Sequence, residues 1–417
     1  MNKLIIVPLF GIILLLIDLY VFQAFKVIAM DFSPAARKIT YITYWGITGL
    51  VLTGYLVYNF GNPDAYPRTA RAFMLVGVFM FYFAKIFALD FLLIDDVIRL
   101  GKWVVSLFSS GHQTAIDPGS QQIPRSEFLA KTAIIAGIIP FAAMGFGIIS
   151  GAHDYRIRRK KIYLSNLPKE FHGLRIGQLS DIHSGSFWNK KAVTGGVEMF
   201  LNEKPDVVFF TGDLVNTDSS EISGYINVFN RVKAPLGVYS TLGNHDYGDY
   251  RRWPTQEAKM RNLEDLKEAH RELGWDLLMN ENRYLRENGE KISIIGIENW
   301  GAGRFSKYGK LSKAYNGSDE ASVKLLLSHD PSHWDAQVRL EYPDIDIMFA
   351  GHTHGFQFGV EIGDWKWSPS QWAYKQWAGL YQEDNQYLYV NRGFGYIGYP
   401  GRIGILPELT IVELLQA

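Results

Sequence analysis

Five short segments of this 417-residue chain carry hard oxygen or imidazole donors at close spacing. They are Ser180-Asp181-Ile182-His183, Thr211-Gly212-Asp213, Gly243-Asn244-His245-Asp246, Ser328-His329-Asp330 and Gly351-His352-Thr353-His354-Gly355. Five of the ten histidines lie in them. Carboxylate, amide carbonyl and neutral imidazole together suit divalent cations such as manganese, iron or zinc. The chain has no cysteine, which excludes disulfides, thiolate zinc sites and cysteine nucleophiles. Singly, each segment has a plainer explanation. An isolated Asp-x-His is more often a solvated turn, Asn-His-Asp a turn or a cap, and a lone His329 a satisfied structural histidine. Gly-His-Thr-His says more, because imidazoles two residues apart can face the same way on an extended segment. What chance does not readily produce is all five in one chain, each behind an apolar run.

Those runs are the elements that must position the donors. Short β-branched stretches predict strands at 175–180, 207–211, 238–242, 292–297, 323–328, 345–350 and 387–390. Helices are expected at 190–202, 219–231, 255–273 and 331–340. Alternating strand and helix points to an α/β architecture. In such sheets ligands bind beyond the carboxyl ends of the strands, which is where all five segments fall.

In order and wording these motifs resemble the calcineurin-like metallophosphoesterase superfamily. The resemblance covers residues 166–417 and is nearest to a branch of membrane-attached bacterial members that includes lipid-A-precursor hydrolases and uncharacterised phosphodiesterases. It implies a four-layer α/β/β/α sandwich and two divalent ions, drawn from manganese, iron and zinc. It further implies that Asp213 bridges them, that Asp181, His183 and His354 complete one site, and that Asn244, His329 and His352 complete the other. Phosphate esters are anionic and repel hydroxide; two cations about 3.5–4 Å apart overcome this by holding a bridging hydroxide against the phosphoryl group. By the same resemblance His245 is not a ligand but points at the substrate, to protonate the leaving oxygen or to stabilise the charge developing on phosphorus. Asp246 either orients that imidazole or caps a strand end.

The first 150 residues are of another kind. Apolar stretches near 4–24, 40–60, 72–94 and 130–150 each have about the length that crosses a bilayer. They predict an all-α bundle of about four transmembrane helices in residues 1–151, a basic linker at 152–165 containing Arg156–Lys161, and a catalytic domain at 166–417. Asp18, Lys85 and Asp90 interrupt the stretches and are expected to pair or to reach the interface, the alternative being a polar path through the bundle. Residues 95–129, with Gly111, Pro118, Gly119 and Pro124, read as an exposed loop, either bare or carrying a short helix on the surface. Basic residues divide eight against seven between the two sides, so charge leaves the topology open. The segment Pro124–Lys131 resembles a broken twin-arginine export signal and leans towards an extracytoplasmic domain in a bacterial plasma membrane. The net charge of zero gives no field that would attract nucleic acid. The bilayer and a phosphate ester are the expected partners, and no protein partner is evident.

Arg392, in Asn391-Arg392-Gly393-Phe394-Gly395, is a candidate phosphate contact or merely a loop tie. Trp365 and Trp367 open an aromatic segment with Trp372, Tyr374, Trp377 and Tyr381. It reads either as packing under a loop or as an apolar wall for a lipid-linked substrate. The expected activity is metal-dependent hydrolysis of a phosphodiester, pyrophosphate or phosphomonoester. The competing expectation is a non-catalytic membrane scaffold or sensor on the same fold.

Overall fold

The computed structural model describes residues 3–62, 65–66, 68–108, 125–363 and 365–417. The chain divides into two compact units, 1–145 and 146–417.

Among the described residues four long helices make up the first unit, and the last of them runs on into the second: α1 (Lys3–Ile28), α2 (Pro34–Phe60), α3 (Arg68–Phe108) and α4 (Arg125–Ile149). The serine before α2 accepts a hydrogen bond from the Ala36 amide, and Pro34 fills the first helical position, so the sequence sets that start. Leucine, isoleucine and phenylalanine point outward along α1, α3 and α4. Apolar residues facing out are what a lipid solvent asks for. Three of these helices are long and apolar enough to cross a membrane, against the four expected. The exception is α2, which is diluted by Thr40, Tyr41, Thr43, Tyr44 and Thr48. Two of these residues turn inward: the Tyr44 and Thr48 hydroxyls donate to Asp18. The predicted loop at 95–129 is also corrected in part, since α3 runs unbroken to Phe108. Ion pairs from Arg99 to Asp95 and Asp96 lie at helical spacing and support those turns. Gly111, Pro118, Gly119 and Pro124 fall outside the described residues.

The second unit is built on fourteen strands among the described residues. In chain order they are β1 (Arg156–Leu164), β2 (Leu174–Leu179), β3 (Val207–Thr211), β4 (Val238–Thr241), β5 (Asp276–Leu277), β6 (Glu281–Glu287) and β7 (Glu290–Gly296). There follow β8 (Val323–Leu327), β9 (Ile347–Ala350), β10 (Val360–Ile362), β11 (Trp365–Trp367), β12 (Gly379–Glu383), β13 (Gln386–Val390) and β14 (Glu408–Gln416). One sheet has the order β1-β14-β2-β3-β4-β5, the other β12-β13-β9-β8-β7-β6, and β10-β11 form a separate ribbon. The basic stretch expected to be a linker is therefore β1, in parallel register with β14 from Arg156↔Glu408 to Leu164↔Gln416. Its charged residues suit an edge, where one side of the strand stays in water.

The two sheets pack face to face. Ile176, Val207, Phe209 and Val412 of one meet Ile294, Leu325, Ile347 and Phe349 of the other in a single buried cluster. Phe209 and Phe349 touch edge to face at 5.2 Å. Helices cover the outer faces. Val193, Val197 and Phe200 of Lys190–Leu201, with Leu266, Ala269 and Leu273 of Gln256–Leu273, lie on the first sheet; Leu311, Trp334 and Val338 lie on the second. This is the four-layer α/β/β/α arrangement. Two predicted helices are shorter than expected: 219–231 is two separate turns, and 331–340 is a π-turn at Trp334–Val338 followed by Arg339–Glu341.

Candidate metal centre

The parallel strands β2, β3 and β4 of the first sheet, and β8 and β9 of the second, end in the five donor segments. The chain turns sharply there. Asp181, His183, Asp213, His352 and His354 all have positive φ, between 47° and 70°. Each such non-glycine residue costs about 1–3 kcal/mol, and residues of this kind cluster where geometry matters more than stability. Two glycines permit the close approach. A Cβ at Gly243 would fall 2.2 Å from Asp213 Oδ1, and one at Gly351 would fall 2.2 Å from Asp181 Oδ2.

The donors form two triads. Asp181, His183 and His354 offer ligand atoms all within 4.8 Å of one another, as do Asp213, His329 and His352. Asp213 joins them: its Oδ2 lies 3.1 Å from His329 Nε2 and 3.5 Å from His183 Nε2. Its Oδ1 is held by the His245 amide at 2.9 Å. Across the triads, His183 Nε2 faces His354 Nε2 at 3.0 Å, and His329 Nε2 faces His352 Nδ1 at 3.2 Å. Opposed imidazole nitrogens need a proton or a cation between them.

The outer hydrogen bonds aim these nitrogens inward. His183 Nδ1 donates to Asn216 Oδ1 at 3.1 Å, and His329 Nδ1 donates to the Thr211 carbonyl at 2.7 Å. Each leaves Nε2 with its lone pair towards the centre, the usual arrangement behind a metal-ligating histidine. His352 Nε2 meets the Tyr374 hydroxyl at 2.7 Å, so Nδ1 is the inward atom. The amide of Asn244 donates to Tyr250 Oη at 2.8 Å. That leaves Asn244 Oδ1 buried with no hydrogen-bond partner among the described residues. An orphaned buried carbonyl is costly unless something fills the place. Divalent ions fit this donor set: oxygen and neutral nitrogen, with one acceptor left over.

Electrostatics agree. Burial lowers His183 to about 3, His352 to about 4 and His354 well below its ordinary value, keeping all three in the neutral form that binds metal. Burial pushes Asp213 up, but the His329 and His245 imidazoles outweigh it and hold the carboxyl well below the usual range. His329 shows the counterpart: burial lowers it, the Asp213 carboxylate more than compensates, and it is raised to about 10, so without a cation its Nε2 carries the proton that a bound metal ion would displace. Burial raises Asp181 to about 6.

The remaining candidates divide. His245 stands beside both triads, its ring centroid 5.0 Å from that of His183, and its Nδ1 donates to the Asn216 carbonyl at 2.8 Å. Asp246 does not orient that imidazole. Its carboxylate accepts from the amides of Asp213, Leu214, Val215 and Gly243, so it ties the β3 turn to the β4 turn, the capping alternative. Arg392 is no phosphate contact either, being buried and paired with Glu408 and Glu361. Trp365 and Trp367 lie on β11, and among the described residues no hydrogen bond or ring contact joins them to the triads. Sequence reasoning missed Asn216, which serves His183 through its side chain and His245 through its carbonyl. Its place three residues after Asp213 was the available signal. It also missed Tyr250 and Arg402. Arg402 is buried, with Nη2 3.1 Å from His354 Nδ1 and donating to the Arg392 and Gly395 carbonyls.

Residues 174–356 match the family model "Calcineurin-like phosphoesterase", and residues 2–152 match "Probable Calcineurin-like phosphoesterase, transmembrane domain". The chain is 30% identical over 295 residues to a transmembrane protein with metallophosphoesterase domain from Danio rerio, covering 69% of this chain and 63% of that one. It is 28% identical over 291 residues to the uncharacterized metallophosphoesterase YkuE of Bacillus subtilis, covering 69% and 93%. To the phosphodiesterase YaeI of Escherichia coli it is 26% identical over 298 residues, covering 70% and 100%. It spans less than two thirds of the length of the Danio rerio and Bos taurus relatives, 63% and 65%.

Proposed function

The chain belongs to the calcineurin-like metallophosphoesterases with an N-terminal membrane domain, and on that premise we propose that it hydrolyses a phosphate ester at the joined triads. The observation that carries the reading is Asp213 Oδ2, shared between the triads at 3.1 and 3.5 Å, and it is supported by Asn244 Oδ1, buried without a hydrogen-bond partner among the described residues. Asp181, His183 and His354 would hold one divalent ion, Asn244, His329 and His352 a second, and Asp213 both. Such ions, when bound, supply Lewis acidity towards the phosphoryl oxygens and lower the pKa of water to near neutrality.

The chain's own side chains do the rest. His245 has Nδ1 committed to the Asn216 carbonyl, so Nε2 is the atom that delivers a proton to the departing oxygen. Asn216 positions both that imidazole and His183. Asp246 fixes the distance between the β3 and β4 turns, and with it the spacing of Asp213 and His245. No serine or cysteine nucleophile is required. Monoester, diester and pyrophosphate substrates share this machinery, and a lipid-linked member of any of these classes suits a membrane-held enzyme.

The test is turnover of a chromogenic diester and a chromogenic monoester by the full chain in lipid nanodiscs with manganese, beside Asp213→Asn. Manganese-dependent turnover lost in the variant supports the reading. A folded wild type inactive on both esters would favour the non-catalytic scaffold.

A further inference from the structure

The ribbon that follows the last ligand segment has two unlike faces. Val360 pairs with Trp367, Glu361 with Lys366, and Ile362 with Trp365. Opposed residues share a face and successive ones alternate, so Val360, Ile362, Trp365 and Trp367 lie on one side and Glu361 and Lys366 on the other. The charged side is tied down. Glu361 accepts from Arg158 of β1 at 2.5 Å and from Arg392 at 3.0 Å, and Lys366 donates to the Ala378 carbonyl. The apolar side is open: Val360, Ile362 and Trp365 are 42%, 70% and 59% exposed. Ring contacts continue it to Phe358 and to the exposed Trp372. Contiguous apolar surface of this kind marks an interaction site, and tryptophan is the residue favoured at membrane–water interfaces.

The last apolar span, Glu127–His153, finishes inside the second unit, where its final residues meet the root of the ribbon. The Arg402 amide donates to the Gly147 carbonyl at 3.1 Å. The adjoining Ile403 donates to the Gln357 carbonyl at 2.8 Å and accepts from the Gly359 amide at 2.9 Å. The end of the span and the start of β10 are thus hydrogen-bonded to two successive residues. The ribbon also borders the metal centre. Phe356 follows His354 by two positions, the Ser368 hydroxyl donates to the Gly355 carbonyl at 2.7 Å, and Tyr374 touches His352.

We propose that the apolar face of β10 and β11 lies in the headgroup layer of the bilayer that holds this chain's own helices, and that the substrates are phosphate esters presented from that layer. The second part rests on the phosphoesterase reading; the first does not.

The absence of native cysteine allows clean single labels. Ile362→Cys and, as a control, Leu340→Cys at a 75% exposed position elsewhere would carry an environment-sensitive fluorophore in the full chain in nanodiscs. Doxyl-labelled phospholipid should quench the label at 362 several-fold more than at 340. Equal quenching overturns the placement. So does a disulfide cross-link between two copies of the unlabelled Ile362→Cys variant without quenching of the labelled one, which assigns the face to a second chain. For the substrate, hexadecyl and methyl p-nitrophenyl phosphate share a leaving group and differ in membrane residence. Ile362→Glu should lower turnover of the hexadecyl ester about tenfold or more and leave the methyl ester unchanged. Equal loss on both, or loss on neither, overturns the substrate part. A wild type that hydrolyses neither ester removes the phosphoesterase reading and the substrate part with it, while the quenching still decides the placement.

Discussion

Two regions of this molecule bury carboxylates, and they do it in opposite ways. Between α1, α2 and α3 the Asp18 carboxylate is fully satisfied. It pairs with Lys85, accepts from Tyr82 at 2.6 Å and from Thr48 at 2.9 Å, and Tyr44 donates to its backbone carbonyl at 2.7 Å. At the strand ends Asp213 faces the Nε2 atoms of His183 and His329, each opposed by a nitrogen of another histidine, and the amide oxygen of Asn244 is buried with no partner among the described residues. A closed network needs nothing added, and its removal costs stability. An open one is costly alone and becomes favourable when a cation completes it. The difference separates a structural polar cluster from a functional one more sharply than burial or charge does, since both carboxylates are buried.

The contrast can be broken by substitution. The largest effect is expected from Asp213→Asn, which removes the shared ligand: manganese-dependent turnover should fall to background, with less metal retained after gel filtration, while the chain stays folded by circular dichroism. His245→Ala should lower kcat by about 10²–10⁴-fold with metal content unchanged, and most steeply for esters with poor leaving groups. Equal losses for good and poor leaving groups would contradict the proton-donor role. In the membrane region Asp18→Asn leaves the Lys85 ammonium buried without its counter-charge. It should destabilise the helices by about 3–5 kcal/mol in a reversible unfolding assay, yet leave turnover per folded molecule intact. Asp18→Asn with Lys85→Met should recover much of that loss, because the pair is then removed whole. The smallest effect is expected from Asn216→Ala, about 10–100-fold in metal affinity or activity, through the orientation of His183 and His245.

The open network was legible in the sequence because its chemistry restricts residue type. Asp181, His183, Asp213, Asn244, His329, His352 and His354 stand directly after apolar strands, and few other residues can do their work. The closed network was only half legible: Asp18 and Lys85 were visible as charges in apolar stretches, but their partnership spans 67 positions and depends on packing. The same limit left Arg392 and Asp246 each open between two readings, since the partner of Arg392, Glu408, comes from β14, and Asp246 serves backbone amides that no side-chain motif announces. β1 was missed because an edge strand can be basic on its open side, so it lacks the apolar run that betrays β3 or β8. The end of α3 was missed because the glycines and prolines from Gly111 to Pro124 marked the whole connection as a loop, while Asp95, Asp96 and Arg99 before them are spaced to pair along a helix.

The claim on which the rest depends is that one carboxylate links two metal ions. Electron paramagnetic resonance of the full chain in nanodiscs, loaded with manganese, addresses it directly. An exchange-coupled pair signal in the wild type, replaced by isolated-ion signal in Asp213→Asn, is the predicted result. Only isolated-ion signal in a fully loaded wild type would contradict it.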